Sequence, residues 1–246
     1  MGRPLRLAVI GDADSDLPGE IPDLEIVTAS AELLSMPRPP AVDAVYLCGV
    51  DQIRARRLKA EFLATAEVPC LTREEMTAVG LASRVLVLLA RTGRSPATAR
   101  VVIVESTAIP TMCPLLLAIG VGDIVSWEPT DALSYPLRRI THRSDAVIDP
   151  LGGGVPVVLP TTEEGQPPLI AADDPAHPLL ALPGLVRALH DKSATRADFD
   201  TLRACAYALA ACTGSAGWLP DLDNPALTPT VFATASRALA GDRPDR

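Results

Sequence analysis

Residues 100–128, RVVIVESTAIPTMCPLLLAIGVGDIVSWE, constrain this chain more than any other stretch. A run of branched apolar residues suits a strand buried on both faces. A turn follows, then a short apolar helix running to Gly120, then a second apolar strand. This is the outline of a dinucleotide-binding unit, whose turn normally reads G-x-G-x-x-G so that backbone can approach a pyrophosphate at a helix N-terminus. Here Glu105, Thr107 and Pro110 hold the three glycine positions. A carboxylate about 4 Å from a phosphate charge is repelled by roughly 4 kcal/mol at an effective dielectric of ~20, or ~1000-fold in affinity. Pro110 and Pro114 delay the helix, because proline is comfortable only in a first turn, and this predicts Thr111 as N-cap.

The remaining chain repeats the alternation of short apolar strands with helices. Residues 5–10 read as a buried strand stopping at Gly11-Asp12, with 24–27 and 44–47 as its neighbours. Pro18, Pro22, Pro37, Pro39 and Pro40 exclude long helices between them. Residues 51–66 predict a helix with Ile53, Leu58, Phe62 and Leu63 on one face and a solvated basic face opposite. After a short extended piece at 68–71, Thr72-Arg73-Glu74-Glu75 has the spacing of a capping box, opening a buried helix to Ala90. Strands are expected at 145–149, 155–159 and 169–172, and helices at 179–190, 195–213 and 228–240. The pattern predicts an α/β fold, a doubly wound (Rossmann-like) parallel sheet preceded by a shortened α/β layer. We place the division between residues 1–72, a truncated N-terminal layer, and residues 73–246, the Rossmann-like domain.

Charge and composition exclude several functions. With 22 basic and 30 acidic residues the net charge is -8, and only 3% of residues are aromatic. Neither clustered cations nor stacking platforms are in place for nucleic acid. No apolar run approaches the ~20 residues of a membrane span, and the N-terminus lacks a secretory h-region, so a cytoplasmic, membrane-free protein is expected. Cys48, Cys70, Cys113, Cys205 and Cys212 lack C-x-x-C spacing, predicting reduced, mostly buried thiols and no metal site.

Three stretches resemble the malic enzyme family, whose members oxidise and decarboxylate malate with NAD(P) and a divalent metal. Residues 84–128 are similar to the family's helix and nucleotide unit, best over Leu115 to Val121 and Asp123-Ile124-Val125. Leu180-Ala181-Leu182-Pro183-Gly184-Leu185 with Arg187-Ala188-Leu189 resembles its L-A-F-P-G-hydrophobic-F-R-G-A-L, and residues 224–240 its closing helix. The departures fall on the chemistry. The family's V-P-V-F-H-D-D-Q-H-G-T would lie on residues 68–78, leaving Glu74 as the one acid at a ligand position, and its upstream Glu-Asp pair on Cys48-Gly49. A hard divalent cation wants several oxygen ligands. The malate-holding asparagines are replaced by Ala176, His177 and Pro178, and no lysine precedes Lys59 to serve as the family's acid-base lysine.

The candidate catalytic residues are therefore Glu74, Glu75 and His177, each with a structural alternative: helix-dipole preference for Glu74, the capping box for Glu75, an ordinary loop histidine for His177. Glu105, Ser106, Thr107 and Glu128 mark the positions of the altered nucleotide loop, Glu128 matching the acid that accepts NAD ribose hydroxyls. His142 and His190 read as surface histidines, Gly152-Gly153-Gly154 as a flexible turn, and Arg138, Arg139 and Arg143 as a basic patch able to receive a carboxylate or an acidic partner surface. The sequence points to a malic-enzyme-like protein degenerate at its metal, malate and dinucleotide sites, without cofactor, acting on a small-molecule or protein partner and able to form a homo-oligomer. The alternative is an active enzyme with a rebuilt pocket, either NAD(P)-dependent on a small hydroxy acid or cofactor-free. A side-chain-filled crevice favours the first reading and an open one with converging polar groups the second.

Overall fold

A computed structural model describes residues 3–11, 21, 23–36, 42–152, 167–172 and 177–241. The first apolar runs form a four-stranded sheet, β1 (Leu5–Ile10), β2 (Leu24–Thr28), β3 (Ala44–Leu47) and β4 (Cys70–Thr72), in the order β2-β1-β3-β4. All its pairings are parallel, with Leu5 opposite Leu24, Leu7 opposite Ala44 and Val45 opposite Cys70. The opening motif seeds a second sheet of β5 (Arg100–Val104), β6 (Asp123–Trp127), β7 (Ala146–Asp149) and β8 (Leu169–Ala171), ordered β6-β5-β7-β8 and again parallel throughout. The first layer is thus a full sheet with the strand order of the second. In each, the chain reverses direction across the sheet between the first and third strands, the switch point where crevices open in such folds.

Helices cover both faces, as parallel sheets require. Asp51 caps α1 (Gln52–Leu63), accepting from Ile53 N and Arg54 N at 3.1 Å. Its buried stripe is Ala55 and Phe62 with Leu58 partly covered, whereas Ile53 is 75% exposed, because the helix meets the sheet only after its first turn. The capping box at Thr72 forms and opens α2 (Arg73–Arg91), whose residues from Met76 to Leu89 are buried almost without interruption. Burial on all sides places this stretch in the core, and Arg84 is the one charged residue between Met76 and Leu89. One hydrophobic cluster runs from Leu7, Val9 and Tyr46 of the first sheet through Leu81, Val85 and Leu89 of α2 to Val101, Ile103 and Ile148 of the second.

The second sheet carries α3 (Met112–Ile119), the short α4 (Leu137–Ile140), α5 (Leu182–Asp191), α6 (Phe199–Cys212) and α7 (Leu227–Leu239). Helix α6 begins four residues later than its pattern suggests, because Asp198 caps it by accepting from Thr201 N at 2.8 Å. Gly184, in the first turn of α5, lets that helix settle on α7: a Cβ there would lie 2.6 Å from Val231 Cβ and 2.8 Å from Thr228 O. The strand expected at 155–159 lies outside the described residues, as do Gly153 and Gly154. Among the described residues no helix is long and apolar enough to cross a membrane.

Candidate functional site

Glu74 and Glu75 open α2 side by side, and the tertiary fold gives them opposite duties. Glu75 turns back to complete the capping box: Thr72 N donates to its Oε2 at 3.0 Å, Thr72 Oγ1 donates to the same oxygen at 3.1 Å, and Glu75 N donates to Thr72 Oγ1 at 3.2 Å. Its other oxygen receives Lys59 Nζ from α1. Glu74, 8% exposed, joins two other elements. Arg56 Nε donates to Glu74 Oε2 at 2.8 Å, while Thr111 N and Thr111 Oγ1 donate to Oε1 at 3.2 and 2.8 Å.

Helix α3 therefore receives at its N-terminus a carboxylate from elsewhere in the same chain. Thr111 stands at the N-cap position, but its side chain makes no cap bond and serves Glu74 instead. The opposite end of α3 closes on Gly120 in the left-handed region and on Arg203, whose Nη1 donates to Ala118 O at 3.1 Å. An anion at the amino end and a cation at the carboxyl end both complement the helix dipole. The eight-residue helix is held at both ends by charges supplied from α2 and α6.

Between α1, the start of α2 and the start of α3 lies a cavity of about 350 Å³, lined by Arg56, Lys59, Thr72, Glu74, Glu75 and Thr111 together with Leu63 and Arg196. The basic face of α1, expected to be solvated, thus supplies Arg56 and Lys59 to the cleft. They stand three residues apart, on one side of the helix, so they can meet two adjacent acids. Arg56 and Glu74 have side-chain exposures of 40% and 6%; Lys59 and Glu75 have 17% and 14%. Both carboxylates are shielded from water, and each of their oxygens accepts at least one hydrogen bond. Beneath the cleft, burial pushes the Cys70 thiol up to about 12 and drives the Tyr46 hydroxyl far above its ordinary range, with nearby Cys48 adding to the effect. Neither ionises near neutral pH.

The nucleotide-loop residues stand elsewhere. Glu105 follows β5 with φ 51° and ψ 50°, the left-handed conformation that the first glycine of such a turn would adopt. Behind it, Glu128 accepts Ser106 Oγ at 2.9 Å, Thr107 N at 3.1 Å and Thr107 Oγ1 at 3.3 Å. The acid that would meet a ribose instead ties down the turn, and its own amide donates to Asp131 Oδ2 at 3.2 Å. Glu105 does not line the cleft that holds Glu74 and Glu75. His177 begins a 3-10 turn at His177–Leu179, and its side chain lies outside the described part of the structure. The basic residues Arg56, Lys59 and Arg196 escaped the sequence reading, since their partners lie on other elements. The usable signal was the three-residue spacing of Arg56 and Lys59 beside an acidic pair.

No protein-family model matches this chain, and no curated protein matches it in sequence. Its fold, by contrast, is that of the malic enzymes. A solved putative malic enzyme (malate oxidoreductase) is similar over 95% of this chain and 85% of its own, with TM-score 0.70 and 15% identity. The NAD-dependent malic enzyme of Thermotoga maritima gives TM-score 0.69 at 14% identity, over 95% of this chain and 84% of that one. Malic enzyme from Entamoeba histolytica gives 0.74 at 11% identity, covering 98% and 70%. At such identities the likeness shows the fold alone.

Proposed function

We propose that this chain keeps a malic-enzyme architecture but acts as a binding protein for a small polar molecule, without NAD(P), metal or malate oxidation. The observation that carries this reading is the turn after β5. Its left-handed position bears the Glu105 side chain, and the Ser106 hydroxyl and the Thr107 amide and hydroxyl are taken by Glu128. A dinucleotide needs that position bare and those donors free, so the residues present do not fit it. The donor set does not fit a divalent metal either. Among the described residues no three His, Cys, Asp or Glu side chains gather, and Glu74 and Glu75 already hold Arg56 and Lys59.

Thermal-shift titration tests the reading. NAD, NADP, and malate with magnesium or manganese should leave the melting temperature unchanged at micromolar levels. A saturable rise with any of them overturns the proposal, because a ligand of the native state must stabilise it. The open cavity favours one second reading, a cofactor-free catalyst in which the Lys59–Glu75 pair moves a proton. Lys59→Met separates the two. A binding protein keeps its cellular activity in proportion to its residual ligand affinity, whereas a catalyst loses turnover while still binding.

A further inference from the structure

Residues 133–143, LSYPLRRITHR, form a platform that the cleft does not explain. Leu137 and Thr141 are buried and Ile140 is half-buried, so the helical turn faces inward at three of its positions. Arg138, Arg139, His142 and Arg143 take the remaining positions and are all exposed. Arg138 and Arg139 stand on α4, and His142 and Arg143 in the turn that follows it, where Arg143 has φ 64°. The backbone beneath is fixed: Trp127 Nε1 donates to Tyr135 O at 2.8 Å, Thr141 Oγ1 to Leu137 O at 3.0 Å and Ser144 Oγ to Thr141 O at 2.7 Å. Leu133 and Tyr135, 98% and 62% exposed, precede the cations.

Acids outnumber bases in this chain by 30 to 22, and several of its arginines pair with one. Arg3 pairs with Asp43, Arg94 with Asp145, Arg100 with Asp123 and Arg203 with Asp200. Arg139, His142 and Arg143 make no ion pair with any described residue. The acids nearest in sequence are committed elsewhere, Asp131 to Glu128 N and Asp145 to Arg94 and Arg100 N. Like charges so close in the chain repel one another.

We propose that this platform docks an acidic segment of a partner protein, its carboxylates meeting the Arg139 and Arg143 guanidinium groups and an apolar side chain resting against Leu133 and Tyr135. Guanidinium groups suit carboxylates through paired hydrogen bonds. A membrane or duplex nucleic acid fits less well, since an extended polyanion meets the field of the whole molecule at net charge -8. A short segment meets the patch alone. This inference is independent of what the cleft binds.

The test uses the full chain and a fluorescein-labelled peptide of Glu and Asp with one Leu, followed by fluorescence anisotropy. Saturable binding that weakens with salt is expected, and Arg139→Glu/Arg143→Glu should lose at least about tenfold in affinity with an unchanged melting temperature. Reversing the exposed Arg54 on α1 should leave affinity unaltered. If the pair reversal destabilises the fold, Arg139→Gln alone should still weaken binding. No saturable binding at low salt, equal losses from Arg54→Glu and the platform reversal, or tighter binding to phosphatidylserine vesicles or a DNA duplex than to the peptide would each overturn the proposal.

Discussion

The two sheets share one strand order and close their carboxyl ends by opposite means. In the first sheet the strands approach because a side chain is missing. Gly11 follows β1 so near the end of β3 that a Cβ would sit 1.9 Å from Cys48 O, and Gly49 turns the chain with φ 64°. In the second sheet the corresponding turns are closed by carboxylates. Glu128 binds the turn after β5, and Asp149, 1% exposed at the end of β7, accepts Leu151 N and Gly152 N at 3.1 Å each. Topology fixes where a crevice can form, and the side chains at the strand ends decide what it can still receive. The open space lies between the layers, where Glu74 joins α1 and α3.

This contrast can be broken at either sheet. The largest effect is expected from Gly11→Ala, which forces β1 and β3 apart at backbone atoms that cannot yield; a loss of more than about 3 kcal/mol in denaturant-derived stability is predicted, beyond ordinary overpacking. An unchanged midpoint would show that the two strand ends are not in contact. Gly184→Val meets a methyl-bearing side chain as well as a carbonyl at α7, and should cost about 1–3 kcal/mol by the same measurement. Thr72→Ala removes the cap on α2 and should cost about 1 kcal/mol. Glu75→Gln should cost less, since glutamine still completes the capping box. If Glu75→Gln were the more damaging of the two, the Lys59 pair and not the cap would hold that helix. The smallest effect belongs to Glu105→Gly. Relief of the left-handed strain and the added entropy of the unfolded chain should nearly cancel, leaving a change within about 1 kcal/mol.

A pH series sharpens the comparison further. Cys70 in the first sheet and Cys205 on the buried face of α6 are both pushed up to about 12 by burial, from an ordinary value of 9.0. Their neutral form is favoured by folding, so this contribution to stability is complete below pH 9 and is lost as pH rises from 9 toward 12. Denaturation midpoints should fall across that window, and thiol reagents at neutral pH should modify the half-buried Cys113 and Cys212 first.

Strand and helix existence was legible because buried parallel strands and capped helices write continuous apolar runs and S/T-x-x-E spacing into local sequence. The repeated strand order was not, since pairing is settled by long-range register. At the site, Thr72 and Glu75 were readable because their contact is local, three residues apart in the chain. Helix-dipole preference explains an acid at Glu74 from local sequence alone, yet its partners Arg56 and Thr111 lie 18 and 37 residues away. The charges of α1 look solvated from sequence for the same reason: periodicity identifies the face opposite a sheet, and it carries no information about a second helix arriving there. Ile53 shows the converse, an apolar residue on the expected face that the first turn leaves exposed.

Glu74 serves as the internal anion of α3, and a double-mutant cycle between Glu74→Gln and Thr111→Val measures that role directly. A hydrogen bond from Thr111 Oγ1 to a nearly buried carboxylate predicts a coupling of about 1–2 kcal/mol in unfolding free energy. Strictly additive substitutions would contradict it, leaving the N-terminus of α3 free to receive an anion from outside the chain.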